Sequence, residues 1–256
     1  MQTTITVLTS VHINCPERWD YLVTTVESFK KCNLSKVRII HKLIDDKSPQ
    51  YFNEIPNFCK QYNIEMLGRV APENHPGFLE TFKRLVSSAT TEYILYLEPD
   101  HYFYLPYNFI TPIIHLYELL PELHQVYLRA PLVYRQFVLL GNMLQTTRKT
   151  MLHKVVIDNE NSGWVGKGRG HESFSLMPSI FRRQTLLNCI NGLNIKGGPS
   201  KLERHMSQSW KWQKLVGYLN GQAFCYHIGA SGKSGRGNYL KIGDKNYENV
   251  WSQKII

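Results

Sequence analysis

The sequence predicts an α/β domain in which helices flank a mostly parallel sheet. Strand-like and helix-like patterns alternate over the first hundred residues, and strands that alternate with helices form parallel sheets covered on both faces. Connections between such strands are right-handed. Hydrophobic residues make up 43% of the 256-residue chain, which is enough for a core, so we expect one compact domain with an elaborated second half.

The predicted elements of the first hundred residues follow from local signals. β-branched residues favour a strand near the N-terminus, and Pro16 suits the first turn of a helix that we expect to end near Lys31. Another helix-like segment follows Pro49, with Pro56 as an interruption, and apolar residues at helical spacing predict a helix over 77–89. The four predicted strands cover 3–11, 37–44, 64–70 and 93–97.

The second half predicts a less regular mixture of helices and strands. We expect a helix over 107–120, an extended segment over 173–181 that gives way to a helix, and a longer helix over 200–219. Ser200 suits the N-cap of this last helix, and Glu203 completes a capping box with it. Further strands are predicted over 126–132, 154–158 and 222–228.

Charge is distributed unevenly along the chain. Residues 1–127 hold 11 Lys and Arg against 14 Asp and Glu, whereas residues 128–256 hold 19 against 6, a net charge of +13. Such asymmetry indicates an anionic partner for the second part, such as a nucleic acid, a membrane surface or an anionic glycan. The tail from Ala230 is rich in Gly, Lys and Ser, which predicts a mobile basic loop.

Cysteine usage and hydropathy indicate a cytoplasmic protein without a transmembrane segment, in the host cytoplasm if the protein is viral. The five cysteines are scattered and none forms a C-x-x-C pair, which is typical of free thiols in a reducing compartment. The N-terminus lacks the basic and apolar regions of a signal peptide. Prolines and polar residues interrupt the most apolar window, 103–120, which falls short of the ~20 apolar residues of a membrane span.

Polar or acidic residues follow three predicted strands at the point where each strand ends. The clusters are Thr9-Ser10-Val11, Asp45-Asp46 and Glu98-Pro99-Asp100. In open α/β sheets, ligands bind at the carboxyl ends of the strands, and an acid after an early strand commonly bonds a ribose hydroxyl. Carboxylates at a strand end suit a divalent metal, and the metal suits a diphosphate. The pattern favours an enzyme that handles a sugar nucleotide, with a plain turn as the alternative for Asp45-Asp46.

The segment Glu98-Pro99-Asp100 resembles the Asp-x-Asp motif of glycosyltransferases with the GT-A fold, closest to their family 2, which have a Rossmann-type sheet. The resemblance covers about residues 3–104. It implies a metal-dependent hexosyl- or pentosyltransferase with a nucleotide-sugar donor, most simply a UDP-sugar, bound by the half 1–105, and with the acceptor bound by the half 106–256. Asp100 then binds Mn²⁺ or Mg²⁺ directly. Glu98, which replaces the first Asp of the motif, takes a more distal position beside the donor.

The same resemblance implies further site residues. Thr9, Ser10 and either Asp45 or Asp46 contact the nucleoside, and Arg84 lies on a glycine-containing helix beside the diphosphate. His227 is a second metal ligand or phosphate ligand, since imidazole binds Mn²⁺ well. The basic loop that follows supplies Lys233 and Arg236 to cover the diphosphate and stabilise the leaving group. For His227, a core histidine followed by a disordered tail is the open alternative.

Inverting sugar transfer requires a base that accepts the proton of the acceptor hydroxyl, and a carboxylate is the usual choice. The part of the chain after residue 127 has only six acids, so the candidates are few. Glu203 matches the family by position, with a capping-box role as its alternative. Glu172 is the second candidate. The stereochemistry of transfer stays open.

The net charge of +13 favours a polyanionic acceptor. DNA with a hydroxymethylated or glucosylated cytosine, as modified by soluble phage transferases, is slightly favoured over a lipid-linked or surface glycan. Phosphate contacts are predicted for Arg129, Arg135, Arg148, Lys149, Lys167 and Arg169. One alternative is a sugar-phosphate nucleotidyltransferase, although residues 9–15 lack the glycine-rich loop expected there. Another is a non-enzymatic basic nucleic-acid-binding protein, which the acidic first half disfavours.

Overall fold

A computed structural model describes residues 3–70, 76–119, 121, 123–128, 144–147, 150–155, 174–208, 216–219 and 224–228. The first part of the chain alternates strands and helices as predicted. Its elements are β1 (Thr3–Val11), α1 (Pro16–Lys30), β2 (Val37–Asp46), α2 (Glu54–Gln61), β3 (Glu65–Val70), α3 (Phe78–Ser87) and β4 (Tyr93–Tyr96). Pro16 starts α1 and Pro56 lies in the first turn of α2, where a missing amide hydrogen removes no helical hydrogen bond.

The elements of the later part are shorter. They are β5 (His101–Phe103), α4 (Ile110–Leu119), β6 (Gln125–Tyr127), β7 (Leu144–Thr147), β8 (Thr150–Val155), β9 (Ser179–Arg182), α5 (Arg183–Ile190), α6 (Pro199–Gln208), β10 (Val216–Leu219) and β11 (Cys225–His227). The Asn108 side chain accepts a hydrogen bond from the Thr111 amide at 3.2 Å, which satisfies a donor at the start of α4. None of the helices in the described ranges is long and apolar enough to cross a bilayer.

The predicted helix over 200–219 is wrong in its second part. Helix α6 ends at Gln208, and β10 instead joins the sheet, parallel to β6 and antiparallel to β8. Val216 and Tyr218 favour strands, and pairing on both sides satisfies the backbone amides and carbonyls of the segment. Strands β5 and β7 have no counterpart among the predictions. The predicted strands over 126–132 and 154–158 extend beyond the described residues.

One nine-stranded sheet has the order β3-β2-β1-β4-β9-β6-β10-β8-β7. The four strands of the first part are all parallel, as predicted. Strand β9 is antiparallel to both β4 and β6, so the later part is mixed. Strands β5 and β11 form a separate antiparallel pair. The α/β fold class is confirmed, and elements of both parts build the same sheet.

Successive residues of β4 point to opposite faces of the sheet and enter two different cores. Leu95 packs with Phe29 of α1 on one face, and Ile94 packs with Phe82 of α3 on the other face. A third cluster joins α1 to α2. Helices on both faces explain why the central strands carry apolar residues at consecutive positions.

Candidate functional site

A cavity of about 680 Å³ opens at the carboxyl ends of β1, β2 and β4. The parallel pairing of these strands brings Ser10, Asp46 and Asp100 to the same edge of the sheet, as predicted. Leu176, which precedes β9, and Glu203 of α6 line the same cavity. It therefore combines residues from the strand ends with residues more than seventy positions later in the sequence.

Two carboxylates and two imidazoles meet beyond the end of β4. Strands β5 and β11 place His101 opposite His227. The Asp100 carboxylate contacts both rings, with Oδ1 3.0 Å from His101 Nδ1 and Oδ2 2.8 Å from His227 Nε2. Glu98 Oε2 lies 3.6 Å from the same His101 nitrogen. Asp100 and His227, both predicted as metal ligands, are therefore neighbours in space.

The chemistry of this cluster fits a divalent metal ion. Burial alone would raise the pKa of Asp100, but hydrogen bonds and charges from His101 and His227 hold that pKa well below its usual range. The carboxyl group is therefore ionised at neutral pH. Donor atoms of Glu98, Asp100 and His101 lie within 4.8 Å of one another. Carboxylate oxygens and imidazole nitrogens suit Mn²⁺, and carboxylates also suit Mg²⁺.

Sequence reasoning did not single out His101 for this cluster. Its ring is fully buried and lies edge-on to the His227 ring, with the centroids 5.0 Å apart. The available signal was its position directly after Asp100. The role became visible only through the pairing of β5 with β11, which joins segments more than a hundred residues apart.

Glu203 lines the cavity from α6. Its Oε1 atom accepts hydrogen bonds from Ser175 Oγ at 2.9 Å and from Leu176 N at 2.8 Å. Helix α6 begins at Pro199, so Ser200 lies inside the first turn and is not the N-cap that the capping box requires. The Glu203 carboxylate therefore joins α6 to the segment before β9.

Tyr96 lines the cavity together with the carboxylates. Its side chain is almost fully buried, and burial raises its pKa well above the usual range. The negative charges of Glu98, Glu203 and Asp100 raise the pKa further. The phenol is therefore neutral, so it offers a hydrogen-bonding group without adding charge to an acidic site.

The two acids at the end of β2 have different surroundings. Asp46 lines the cavity and accepts a hydrogen bond from Thr81 Oγ1 at 3.0 Å. Asp45 is fully buried and does not line the cavity. Its Oδ1 accepts a hydrogen bond from Ser48 N at 2.9 Å, and its Oδ2 lies 3.4 Å from Arg69 Nε. Of the two predicted alternatives, the structure brings Asp46 to the cavity.

Thr9 and Ser10 differ in the same way. Ser10 lines the cavity, whereas the buried Thr9 Oγ1 bonds to His41 Nε2 at 2.9 Å. Burial, together with the charge of Lys30, lowers the pKa of His41 to about 3, so this imidazole is neutral. Thr9 and His41 thus form a neutral polar pair between β1 and β2.

Other predicted residues lie away from the cavity or outside the described ranges. Arg84 donates a hydrogen bond to the Leu67 carbonyl at 2.8 Å and does not line the cavity. The described ranges do not include Glu172, Lys233, Arg236 or the six basic residues predicted to contact phosphates. Conversely, the sequence did not indicate the lining residues His12, Arg18 and Lys47.

Comparison with known proteins gives a structural match. No protein-family model matches the sequence, and no curated protein does. TarS 1–349 of S. aureus, solved with UDP-GlcNAc, superposes with a TM-score of 0.57 at 14% identity over 90% of this chain and 60% of that one. The chain has the GT-A glycosyltransferase fold. This agrees with the family resemblance noted in the sequence.

Two further solved structures share the GT-A fold. GalNAc-T7 with UDP, GalNAc and Mn²⁺ has a TM-score of 0.57 at 15% identity over 98% of this chain and 48% of that one. The mannosyltransferase PcManGT from Pyrobaculum calidifontis, with GDP-Man and Mn²⁺, has a TM-score of 0.51 at 11% identity over 89% of this chain and 58% of that one. This chain therefore spans about half the length of the proteins it resembles.

Proposed function

We propose that this protein is a metal-dependent glycosyltransferase that moves a sugar from a nucleotide-diphosphate sugar to an acceptor hydroxyl. The observation that carries the proposal is the contact of Asp100 with His227 at the edge of the sheet where GT-A folds end their central strands. The similar structures support it, because they were solved with UDP-GlcNAc, with GDP-Man and Mn²⁺, or with UDP, GalNAc and Mn²⁺. A UDP-sugar is the proposed donor.

In this proposal Asp100 and His227 hold Mn²⁺ or Mg²⁺, with Glu98 and His101 beside them. A divalent ion held by these residues would supply positive charge beside the diphosphate, which would favour departure of the nucleotide. His101 orients the Asp100 carboxylate through the 3.0 Å contact from its Nδ1 atom. The His101 ring is fully buried.

Residues at the ends of β1 and β2 bind the nucleoside of the donor in this proposal. Ser10 and Asp46 line the cavity and offer a hydroxyl and a carboxylate to a ribose or a base. Thr9 and Asp45 hold the ends of these strands in position, because each is buried and bonded to a neighbouring strand or loop. Lys233 and Arg236 remain predicted ligands of the diphosphate.

Glu203 is the proposed base for the acceptor hydroxyl. Its carboxylate shares the cavity with Glu98 and Asp100, so an acceptor placed between them would lie beside both the base and the donor. The bonds from Ser175 and Leu176 fix one carboxylate oxygen, which orients the group. Glu172 remains the second candidate.

We propose an anionic acceptor, because the net charge after residue 127 is +13. DNA with a modified cytosine is favoured over a lipid-linked or surface glycan. The test is transfer to hydroxymethylated or glucosylated duplex DNA at increasing salt, since phosphate contacts weaken steeply with salt. Transfer to lipid-linked sugar alone would overturn the preference for DNA.

The proposed reaction is tested by screening UDP-sugars and GDP-sugars for Mn²⁺-dependent hydrolysis, with Asp100→Asn as the decisive variant. We expect turnover to fall by about 100-fold or more, because an amide is a poorer metal ligand than a carboxylate and carries no charge. Asp20→Asn, an exposed acid on α1, is the matched control and should retain activity. Failure to use any donor, or full activity of Asp100→Asn, would overturn the proposal. Release of pyrophosphate from a sugar phosphate and a nucleoside triphosphate would indicate a nucleotidyltransferase.

A further inference from the structure

Lys47 has an unusual backbone conformation at the edge of the cavity. It directly follows β2 and has a φ of +58°. This left-handed region is disfavoured for residues with a Cβ atom and is mostly occupied by Gly, Asn and Asp. A long aliphatic side chain gains nothing locally from it. A conformation of this kind persists only where the surrounding structure enforces it, and such residues cluster at functional sites.

Hydrogen bonds to the next residue enforce the conformation of Lys47. Ser48 N donates to Asp45 Oδ1 at 2.9 Å, and the Ser48 carbonyl accepts from Arg69 Nη2 at 2.9 Å. The Ser48 hydroxyl oxygen accepts from Ile13 N at 2.7 Å. Three polar groups of Ser48 are therefore fixed by three different segments of the chain.

The residue before Lys47 is fixed as well. The Asp46 carbonyl bonds to His12 Nδ1 at 2.9 Å, and the Asp46 carboxylate accepts from Thr81. With both of its neighbours held, Lys47 has little freedom to leave the left-handed region. The hydrogen bonds of Asp46 and Ser48 therefore explain how the left-handed conformation of Lys47 is maintained. They do not explain why a lysine occupies this position.

Two other residues with positive φ provide a contrast. Tyr51, with a φ of +57°, stacks on Trp19 at 5.2 Å, and its carbonyl accepts hydrogen bonds from the first turn of α2. Asn63, with a φ of +52°, is of a residue type that tolerates this region and follows α2. Local structure accounts for both. Within the described part of the chain, the Lys47 ammonium makes no hydrogen bond or ion pair, and Lys47 lines the cavity.

The charge of the cavity indicates what Lys47 would bind. Four of its lining residues are acids, and these are Asp46, Glu98, Asp100 and Glu203. Among the described lining residues, only Arg18 and Lys47 carry a permanent positive charge. A nucleoside diphosphate adds further negative charge to this space, so its entry depends on cations that face it. An ammonium group binds phosphate oxygens as a compact point charge.

We propose that Lys47 binds the diphosphate of the donor, and that the left-handed backbone directs its ammonium into the cavity. This inference rests on the proposed function, because it assigns one ligand within that site. Asp45, Ser48 and Arg69 are then positioning residues, which act on the donor through Lys47. Lys47 thus supplies a positive charge from the first part of the chain, in addition to the predicted Lys233 and Arg236.

The test compares Lys47→Gln with Lys36→Gln by titration calorimetry, with UDP, GDP, uridine and guanosine as probes. Lys36 is exposed and precedes β2, at the opposite end of that strand, so it is a matched control for the loss of one charge. We expect Lys47→Gln to weaken binding of the preferred diphosphate about tenfold, the usual size for one hydrogen bond to a charged group. Binding of the nucleoside should change less than about twofold. Lys36→Gln should bind all four probes as the wild type does.

A second variant, Lys47→Gly, separates ligand binding from folding. Glycine accepts positive φ without strain, so Tm should rise by about 2–4 °C while diphosphate affinity falls as in Lys47→Gln. Unchanged diphosphate affinity in both variants would overturn the inference and leave the proposed function intact. An equal loss for diphosphate and nucleoside would place Lys47 at the nucleoside and overturn the assignment to the diphosphate. If the wild type binds neither UDP nor GDP, the proposed function fails and the inference falls with it.

Discussion

The two sides of the cavity are built in different ways. The strand-end wall, formed by Ser10, His12, Asp46 and Lys47, comes from the ends of β1 and β2. The helix wall, formed by Leu176, Ser200 and Glu203, comes from α6 and the segment before β9. Neighbouring parallel strands pair residue by residue from Thr3 to Val11 and fix the first wall. The second wall depends on bonds such as those of Glu203 to the 175–176 segment.

This difference indicates that the two walls have different roles in the proposed function. The strand-end wall is held by buried polar groups that cannot move without breaking hydrogen bonds in the sheet, which suits a fixed nucleoside site. The helix wall is anchored in the core by Leu202 and Met206 of α6, and its Glu203 carboxylate is bonded to the 175–176 segment beside the cavity. In the proposed function this carboxylate meets a variable acceptor. Variants in the two walls should therefore fail differently, in stability for the first wall and in turnover for the second.

The largest effect is expected from the helix wall, in Glu203→Gln. If Glu203 is the base, transfer to the acceptor should fall by about 10²–10⁴-fold, because a carboxamide cannot accept the proton at neutral pH. Glutamine preserves the size of the side chain, and its carbonyl oxygen can still accept the bonds from Ser175 and Leu176. Rates of sugar transfer and affinities for the nucleoside diphosphate provide the measurement.

Nucleotide affinity should be unchanged in Glu203→Gln, which distinguishes loss of the base from loss of the fold. Glu118→Gln on α4, where the carboxylate is exposed, is the control and should transfer sugar normally. Full activity of Glu203→Gln would show that Glu203 is not the base and would leave Glu172 as the candidate. The functional contrast between the two walls would then be lost.

A smaller effect is expected in the pH dependence of stability, from His41, whose ring is bonded to Thr9 next to Ser10 of the strand-end wall. The pKa of His41 is lowered to about 3 in the folded protein, from an ordinary value near 6.5, so the unfolded chain binds the additional proton between these values. The contribution of this histidine is fully present above about pH 6.5 and is lost as the pH falls toward 3. The free energy of unfolding should decrease by up to about 1.4 kcal/mol per pH unit in this window.

Urea unfolding at pH 7 and pH 5 measures this dependence. His41→Gln should reduce the loss of stability between the two values, since glutamine can bond to Thr9 without titrating. His115→Gln, at an exposed position on α4, is the control for the substitution itself. An identical pH response in all three proteins would contradict the neutral state of His41.

The strand ends at the cavity could be predicted from the sequence because their signals are local, although His12 and Lys47 of the strand-end wall were not indicated. An apolar run that ends in Asp45-Asp46 or in Glu98-Pro99-Asp100 marks the end of a strand, and parallel strands bring such ends together. Adjacent residues were harder to separate. Whether Ser10 or Thr9 faces the cavity depends on His41 in the next strand, and whether Asp45 or Asp46 does depends on Ser48 and Arg69.

The rest of the site depends on pairings between distant segments. His101 belongs to a three-residue strand whose partner is β11, and a strand this short leaves no periodic signal in the sequence. The segment 216–219 continues a helical pattern but pairs with β6 and β8, so tertiary pairing overrides the local preference. His227 was predicted from the family resemblance, and no feature of its own neighbourhood indicated Asp100 as its partner.

The most direct test of the central claim is a titration with Mn²⁺ followed by electron paramagnetic resonance, in the presence of the nucleoside diphosphate that the protein binds. The wild type should bind one ion per chain. Asp100→Asn and His227→Gln should each weaken its binding by about 10–100-fold, whereas Asp20→Asn should bind as the wild type does. Wild-type affinity for Mn²⁺ in both Asp100→Asn and His227→Gln would contradict the account.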